Sequence, residues 1–265
     1  MTVTVGEMMD ALIGRSGVSV EDTVDLLITG SRDMVVQGIA VAFMPTRYVL
    51  EEAVRRGANL LIVHEPMFFR HQGGVEFLEN DPVYADKLAY LRDTGLAVFR
   101  LHDHIHRYHP DAITAGLVEA LGWEQYVEKH LPTAAILEIS ELTAAELAAE
   151  VKSKLELNYV RLGGDPGTMC RRIGILVGYR GGGASAIPLF HEEQLDVIIA
   201  GEGPEWETPE YVRDAAQQGL AKALIMIGHA ESEVPGMQRL VPWLQEKAPD
   251  VEVSFVAEKP VFRLI

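Results

Sequence analysis

The stretch TRYVLEEAVRRGANLLIVHEPMFF, residues 46–69, predicts the fold class of this chain. Its first half places apolar residues at helical spacing, and Gly57 is a typical residue for the end of a helix. The second half contains the apolar run Leu60–Val63, which has the length of a buried strand. A helix followed by a wholly apolar strand is typical of parallel sheets that helices cover on both faces. The stretch therefore predicts an α/β protein.

Apolar runs of the same kind recur along the chain and alternate with helical patterns. We predict strands at Val36–Phe43, Leu60–Val63, Ala97–Leu101, Ile173–Val177, Val197–Ala200, Ala223–Ile227 and Val251–Val256. The segment ETPEYVRDAAQQG, residues 207–219, predicts a helix with Thr208 as its cap, Pro209 at its first position and Gly219 at its end. Another helix is predicted at residues 143–155, where Thr143 and Glu146 match a capping box.

A change of composition at residues 124–141 divides the chain into two α/β segments. We therefore expect two α/β lobes, residues 1–126 and 127–265, with mostly parallel or mixed sheets covered by helices. This division leaves open whether the C-terminal segment packs back on the first lobe.

Composition narrows the class of protein. The 265 residues are 48% hydrophobic, which is enough for a sizeable core, and the formal net charge of -16 disfavours nucleic acid as the main ligand. The single cysteine, Cys170, excludes both a disulfide within the chain and a cysteine-based zinc finger. The N-terminus lacks the pattern of a secretory signal, and no apolar run approaches the roughly 18 residues of a membrane span. We expect a cytoplasmic protein.

Histidines and carboxylates follow four of the predicted strands. They are His64 and Glu65 after LLIV, His102, His104 and His106 after AVFRL, Glu202 after DVIIAG, and His229 and Glu233 after ALIMIG. Taken singly, each fits an ordinary structural residue; Glu231 and Glu233, for example, would favour the N-terminus of a helix beginning near Pro235. Ligands of open α/β sheets bind at the carboxyl ends of the strands, so these side chains are expected to converge.

Such a mixture of imidazoles and carboxylates is the ligand set of zinc, iron, manganese or nickel. Five or more ligands exceed the needs of one tetrahedral ion, and two ions bridged by a carboxylate account for them better. We expect this metal site at the strand carboxyl ends, between the two lobes.

The segment VFRLHDHIHRYH, residues 98–109, places histidines at alternate positions. In a strand, alternate residues point to one face. Two interpretations stay open. In the first, His106 binds metal and both His102 and His104 are ligands or partners of ligands. In the second, only His106 reaches the metal and the other two are structural.

A glycine-rich turn gives a second signal. In GILVGYRGGGAS, an apolar strand leads to Arg180, Gly181, Gly182 and Gly183 ahead of a helical pattern. Such a turn can hold an anion against backbone N–H groups, and a simple tight turn explains it equally well.

The segments GANLLIVHEPMFF, LDVIIAGE and GHAESE resemble, in this order, motifs of the Nif-three-like dinuclear metal-centre family, whose members often carry the name GTP cyclohydrolase I type 2. The resemblance runs through nearly the whole chain. It implies metal ligands at His64, Glu65, His106, His229 and Glu233, and a toroidal homohexamer. Glu65 stands where the family has a histidine and His106 where it has an aspartate, so the chain resembles a divergent branch with redistributed ligands.

Two functions follow from these observations, and whether the protein is an enzyme stays open between them. The first is a metal-dependent hydrolase of a small molecule of unknown identity, with phosphate- and nucleotide-containing substrates among the candidates and with His102, His104 or Glu202 as general acid or base. The second is a non-catalytic metal-binding or scaffold protein of the same family. Catalytic metal sites keep a water-filled position, whereas structural sites are closed.

Overall fold

The computed structural model describes residues 2–263, and they form two units. The first unit comprises residues 2–109 together with residues 237–263, and the second comprises residues 110–236. The sequence placed the division after residue 126. In the structure it falls earlier, because the helix Ala112–Ala120 is already part of the second unit.

Eleven strands and nine helices are present in the described part of the chain. The strands are β1 (Leu26–Thr29), β2 (Gly38–Ala42), β3 (Leu60–Val63), β4 (Ala97–Arg100), β5 (Val127–His130), β6 (Ala135–Thr143), β7 (Arg161–Gly163), β8 (Met169–Leu176), β9 (Val197–Ala200), β10 (Ala223–Met226) and β11 (Glu252–Phe255). The helices are α1 (Val5–Gly14), α2 (Arg47–Arg55), α3 (Pro82–Thr94), α4 (Ala112–Ala120), α5 (Ala144–Lys154), α6 (Gly183–Glu192), α7 (Thr208–Gln217), α8 (His229–Gln238) and α9 (Leu240–Lys247).

The sheet of the first unit has the order β1-β4-β3-β2-β11. Its last four strands are parallel, and β1 runs antiparallel to β4 at the edge. Every residue of β2, β3 and β4 is buried, which matches apolar runs that are covered on both faces. Helix α2 begins after Thr46, whose side chain accepts from the Val49 N–H, and it buries Val49, Leu50 and Ala53 in the core below the sheet.

The sheet of the second unit has the order β5-β6-β8-β9-β10-β7. Strands β8, β9 and β10 are parallel, whereas β5, β6 and β7 pair antiparallel with their neighbours. The predicted capping box of α5 is present, with the Thr143 hydroxyl accepting from the Glu146 N–H and the Glu146 carboxylate accepting from the Thr143 N–H. The protein is thus a mixed α/β protein with two sheets of mixed strand direction covered by helices.

All seven strands predicted from the sequence exist, and four strands were missed. The missed ones, β1, β5, β6 and β7, are the antiparallel members at the sheet edges or next to them. Strands β5 and β7 are short and contain charged residues, so they lack the continuous apolar run by which the central strands were recognised. Strands β1 and β6 do begin with apolar residues, and the sequence analysis overlooked them. At α7 the N-cap is Glu207, and Thr208, predicted as the cap, is the first helical residue.

Among the residues described, no helix combines the length and the apolar character that crossing a membrane requires.

Candidate metal centre

In the first unit, strands β3 and β4 end side by side, and a histidine follows each of them. The strands are parallel neighbours, with Val63 paired with Arg100 at their last positions. His64 comes directly after β3. The Leu101 N–H, one residue before His102, donates to the Val63 carbonyl oxygen at 2.8 Å. This carboxyl edge is where ligands of α/β sheets bind.

Three imidazole rings meet at this edge, and we call His64, His102 and His106 the histidine cluster. Their ring centroids lie 4.5 Å apart for His64 and His102, 5.0 Å for His64 and His106, and 5.1 Å for His102 and His106. Each ring offers one nitrogen, and the three nitrogens lie within 4.8 Å of one another. Glu65 also offers a carboxylate oxygen within 4.8 Å of the His64 ligand nitrogen. Such a set of donors fits a divalent transition metal ion.

The expectation that alternating histidines share one strand face is wrong. Strand β4 ends at Arg100, and residues 105–107 form a short 3-10 helix. The chain therefore turns after His102, which brings His106 back to the same cluster and turns His104 elsewhere. Of the two interpretations left open, the structure favours neither completely, because it brings His102 to His106 but leaves His104 out of the cluster.

Asp25 determines this turn, and sequence reasoning missed it. Its Oδ1 accepts the backbone N–H groups of His102 (2.6 Å) and Asp103 (2.8 Å), and its Oδ2 accepts that of His104 (2.9 Å). The His104 Nδ1 lies 2.7 Å from the same Oδ2, with both side chains buried. His104 is thus held by Asp25. No local signal could reveal this, because 77 residues separate Asp25 from His102.

Hydrogen bonds set the tautomers of two rings in the histidine cluster. The His64 Nδ1 lies 3.0 Å from the Leu101 carbonyl oxygen, and the His102 Nδ1 lies 3.0 Å from Asp103 Oδ1. Both oxygens only accept, so each Nδ1 carries the proton, and in a neutral ring the Nε2 then carries the lone pair. This is the arrangement by which proteins orient metal-binding histidines. The hydrogen bond from His102 also holds the pKa of Asp103 well below its usual range.

His71 and Arg100 border the histidine cluster, and neither was predicted. The buried Arg100 donates to the carbonyl oxygens of His64 (3.2 Å) and His71 (2.9 Å) and to the His71 Nδ1 (2.8 Å). Because a guanidinium has no lone pair to offer, the His71 Nδ1 is the acceptor and its Nε2 carries the hydrogen. Burial lowers the pKa of His71, and so do His102 and Arg100 beside it. His71 is therefore a neutral donor whose ring centroid lies 4.5 Å from that of His102.

The second unit carries a cluster of its own, Glu202, His229 and Glu233, which we call the carboxylate–histidine cluster. Glu202 follows β9, and His229 follows β10 as the first residue of α8. The helix begins at His229 and not near Pro235, so Glu233 lies one turn along the same helix face. The His229 Nδ1 is 2.7 Å from Glu202 Oε1, and its Nε2 is 3.2 Å from Glu233 Oε2.

The two carboxylates contact opposite nitrogens of the His229 ring. Glu202 holds the Nδ1 side of His229, as a carboxylate does when it orients a metal-binding histidine, and Glu233 lies on the Nε2 side, where the ion would bind. Glu202, predicted as a general acid or base, is thus in contact with His229. Sequence reasoning selected all three residues but could not show which nitrogen of His229 each carboxylate contacts.

Two small residues, Gly178 and Ser232, border this cluster. Gly178 has a φ of +59°, and a Cβ at this position would lie 2.2 Å from Glu233 Oε1 and 3.2 Å from His229 Nε2. Ser232 joins the same segments, because its hydroxyl accepts from the Gly178 N–H (2.8 Å) and donates to the His229 carbonyl oxygen (2.7 Å). The space beside the carboxylate and the imidazole therefore depends on a glycine.

The glycine-rich turn predicted as an anion site contains carboxylates of the chain itself. The Arg180 guanidinium donates to Asp111 Oδ2 at 2.8 Å, and the Gly183 N–H at the start of α6 donates to Glu207 Oε2 at 2.5 Å. A Cβ at Gly181 would lie 2.6 Å from the Glu202 carbonyl oxygen, so close backbone packing accounts for that glycine. Gly182 is the N-cap of α6. These contacts favour the tight-turn interpretation.

Comparison with known proteins assigns the chain to a family. A profile of Duf34/NIF3 (NGG1p interacting factor 3) matches residues 3–260. The chain belongs to the Duf34/NIF3 family. Among relatives of this NIF3 chain is a GTP cyclohydrolase 1 type 2 homolog of Clostridium perfringens, 26% identical over 250 residues, which are 90% of this chain and 88% of the relative.

Solved structures of bacterial proteins have the same fold. A hypothetical protein of Staphylococcus aureus superposes with a TM-score of 0.77 at 19% identity, covering 100% of both chains. A Bacillus cereus protein related to NIF3 gives a TM-score of 0.77 at 14% identity, again over 100% of both chains. The resemblance noted in the sequence is therefore confirmed at the level of family and fold.

Proposed function

We propose that this protein binds divalent transition metal ions, namely zinc, iron, manganese or nickel, through the residues of its two clusters. One observation carries the proposal: three imidazole nitrogens lie within 4.8 Å of one another, and the Nδ1–H groups of His64 and His102 are held by acceptors. Both rings therefore have the tautomer that leaves Nε2 for a metal ion.

The proposed ligands are the five residues that the family resemblance implies, with one addition from the structure. They are His64, Glu65, His106, His229 and Glu233, and His102 is the addition. The first unit supplies four of these donors, as many as one tetrahedral ion takes, and the second unit supplies two more. A dinuclear centre therefore stays part of the proposal.

We further propose that the centre serves a hydrolase acting on a small molecule, with phosphate esters and nucleotides as the first classes to examine. A metal ion of this kind lowers the pKa of a bound water and polarises the bond under attack. The chain's own contribution would come from His71, whose Nε2–H is positioned to donate to an oxygen of a substrate beside the histidine cluster. Glu202 would keep His229 oriented.

One observation favours the alternative, a non-catalytic metal-binding or scaffold protein. Two of the three predicted acid–base residues are engaged with the protein itself, His104 with Asp25 and Glu202 with His229. The third, His102, has the features of a ligand. Of the histidines near the cluster, His71 is then the remaining candidate for proton transfer.

The first experiment is the metal content per chain of protein purified without chelators or metal-affinity resin. We expect about two equivalents of a transition metal, as a two-ion centre requires, and a large loss in the His102→Ala, His229→Ala and Glu233→Ala variants. His191→Ala is the matched control, because His191 is exposed and lies in neither cluster. A protein that stays free of metal after incubation with zinc, iron, manganese and nickel contradicts the proposal.

A second experiment separates the two functions. The metal-loaded protein is assayed with nitrophenyl phosphates and with nucleotides, including GTP. Hydrolysis that His71→Asn reduces without loss of metal supports the hydrolase, and retained metal without turnover on any substrate supports the non-catalytic protein. The homohexamer and the cytoplasmic location stay predictions, and light scattering measures the first of them.

A further inference from the structure

A pocket in the first unit lies outside the residues proposed for metal binding. It has a volume of about 490 Å³ and is bordered by Met44, Thr46, Arg47, Phe69, Pro82, Val83, Asp86 and Lys87. Pockets that bind small molecules have volumes of roughly 300–1,000 Å³ and are mostly apolar with a few polar groups. The volume of this pocket lies in that range, and its lining contains four apolar and four polar or charged residues.

The unusual member of the lining is Lys87 of α3. Its side chain is almost fully buried, with the residue only 5% exposed. The amino group donates to the Met67 carbonyl oxygen at 2.6 Å and lies 5.7 Å and 5.3 Å from the ring centroids of Phe68 and Phe69. Within the part of the chain that the structure describes, no carboxylate pairs with Lys87. Buried lysines are ordinarily paired with an anion.

Of the charged side chains that border the pocket, Lys87 is the one without a partner of opposite charge in the described part of the chain. Asp86, the acidic residue of the lining, is already paired with Arg47 at 2.7 Å, and Arg47 also binds Glu51 at 2.9 Å. The Lys87 amino group has three N–H bonds, of which Met67 accepts one. Donors therefore remain for a ligand.

A strained backbone position and exposed apolar side chains at the pocket indicate what the uncharged part of the ligand should be. Phe69 has a φ of +60°, which an L side chain rarely adopts, and strained residues of this kind gather at binding sites. Phe69 is 60% exposed and Val83 is 61% exposed, although both have large apolar side chains on the pocket lining. An apolar ligand body would cover these surfaces.

We propose that this pocket binds a small carboxylate with an aromatic or branched apolar body, its carboxylate on Lys87 and its apolar part against Phe69, Val83 and Met44. Burial lowers the pKa of Lys87 to about 8, and a bound carboxylate would raise it again. The site is independent of the two clusters proposed for metal binding.

The experiment uses 4-(trifluoromethyl)benzoate, with fluorine NMR as the readout, on chelator-treated whole protein. Chelation removes metal ions that could bind the carboxylate, so failure of the metal proposal does not affect this test. We expect saturable binding, and at least tenfold weaker binding of 4-(trifluoromethyl)benzamide, because the amide lacks the charge that Lys87 recognises.

Three variants complete the test. Lys87→Met should weaken benzoate binding at least tenfold, and Val83→Phe should do so by filling the pocket while the ammonium is retained. Lys152→Met is the matched control, because Lys152 is an exposed lysine of α5, and it should bind like the wild type. Circular dichroism verifies that each variant is folded. No binding of the benzoate, equal binding of the amide, or undiminished binding by Lys87→Met or by Val83→Phe would each overturn the proposal.

Discussion

The ammonium of Lys87 should make the stability of this protein depend on pH in a direction opposite to that of an ion-paired lysine. Burial lowers the pKa of Lys87 from its usual 10.5 to about 8. Between these pH values the unfolded chain holds the proton and the folded chain does not, so the free energy of unfolding rises with pH. The destabilisation is present in full below about pH 8 and disappears as the pH approaches 10.5.

The two pKa values give the magnitude. A difference of one pKa unit corresponds to about 1.4 kcal/mol, so the charged lysine costs the folded state about 3 kcal/mol at neutral pH. Integration of the titration between pH 7 and about pH 9.5 gives an expected change of about 2 kcal/mol. Solvent that reaches the amino group would reduce this value but not change its sign.

The assay is urea unfolding of the wild type and of Lys87→Met at both pH values, followed by circular dichroism. Groups other than Lys87 titrate equally in the two proteins, so their contributions cancel in the difference of unfolding free energies. We expect this difference to shift in favour of the wild type by about 2 kcal/mol from pH 7 to about pH 9.5. If the difference in unfolding free energy stays constant with pH, the reasoning is refuted. If the wild type instead loses stability relative to Lys87→Met as the pH rises, an anion must be paired with Lys87 in the folded protein.

Three further predictions concern single positions. Gly178→Ala should lower the metal content, and it should lower the free energy of unfolding by roughly 2 kcal/mol or more, because the new Cβ would clash with Glu233. Gly219→Ala is the control. Gly219 also has a positive φ, but a Cβ there would meet no atom within 4 Å, so this variant should lower only the free energy of unfolding. Glu65→Ala should lower the metal content, whereas Glu65→His, which supplies the histidine that the family resemblance implies at this position, should retain it. An unchanged metal content in Glu65→Ala would mean that Glu65 is not a ligand. Cys170 is buried, and burial raises the pKa of its thiol to about 12. It should therefore react with a thiol reagent only after the protein unfolds, and rapid reaction of the folded protein would contradict the burial of Cys170.

Much of the fold was readable from local patterns. The central strands are wholly apolar and bordered by turns, so Leu60–Val63 and Val197–Ala200 were predicted with their observed bounds. A capping box needs only residues three apart, so Thr143 and Glu146 were also predicted correctly. Edge strands such as β7 have no such pattern, because their pairing with a distant strand supplies their stability.

The candidate site was also predictable only in part. The sequence by itself determined which residue types follow the central strands, and therefore that histidines and carboxylates gather at the strand ends, because parallel strands end at one edge. Only the tertiary structure decided that His102 joins the cluster and His104 does not, since Asp25 lies almost eighty residues away in the chain. The same holds for Lys87, whose ordinary position on a helix says nothing of its burial. A side chain's role depends on the groups that surround it, and folding brings those groups from distant parts of the chain.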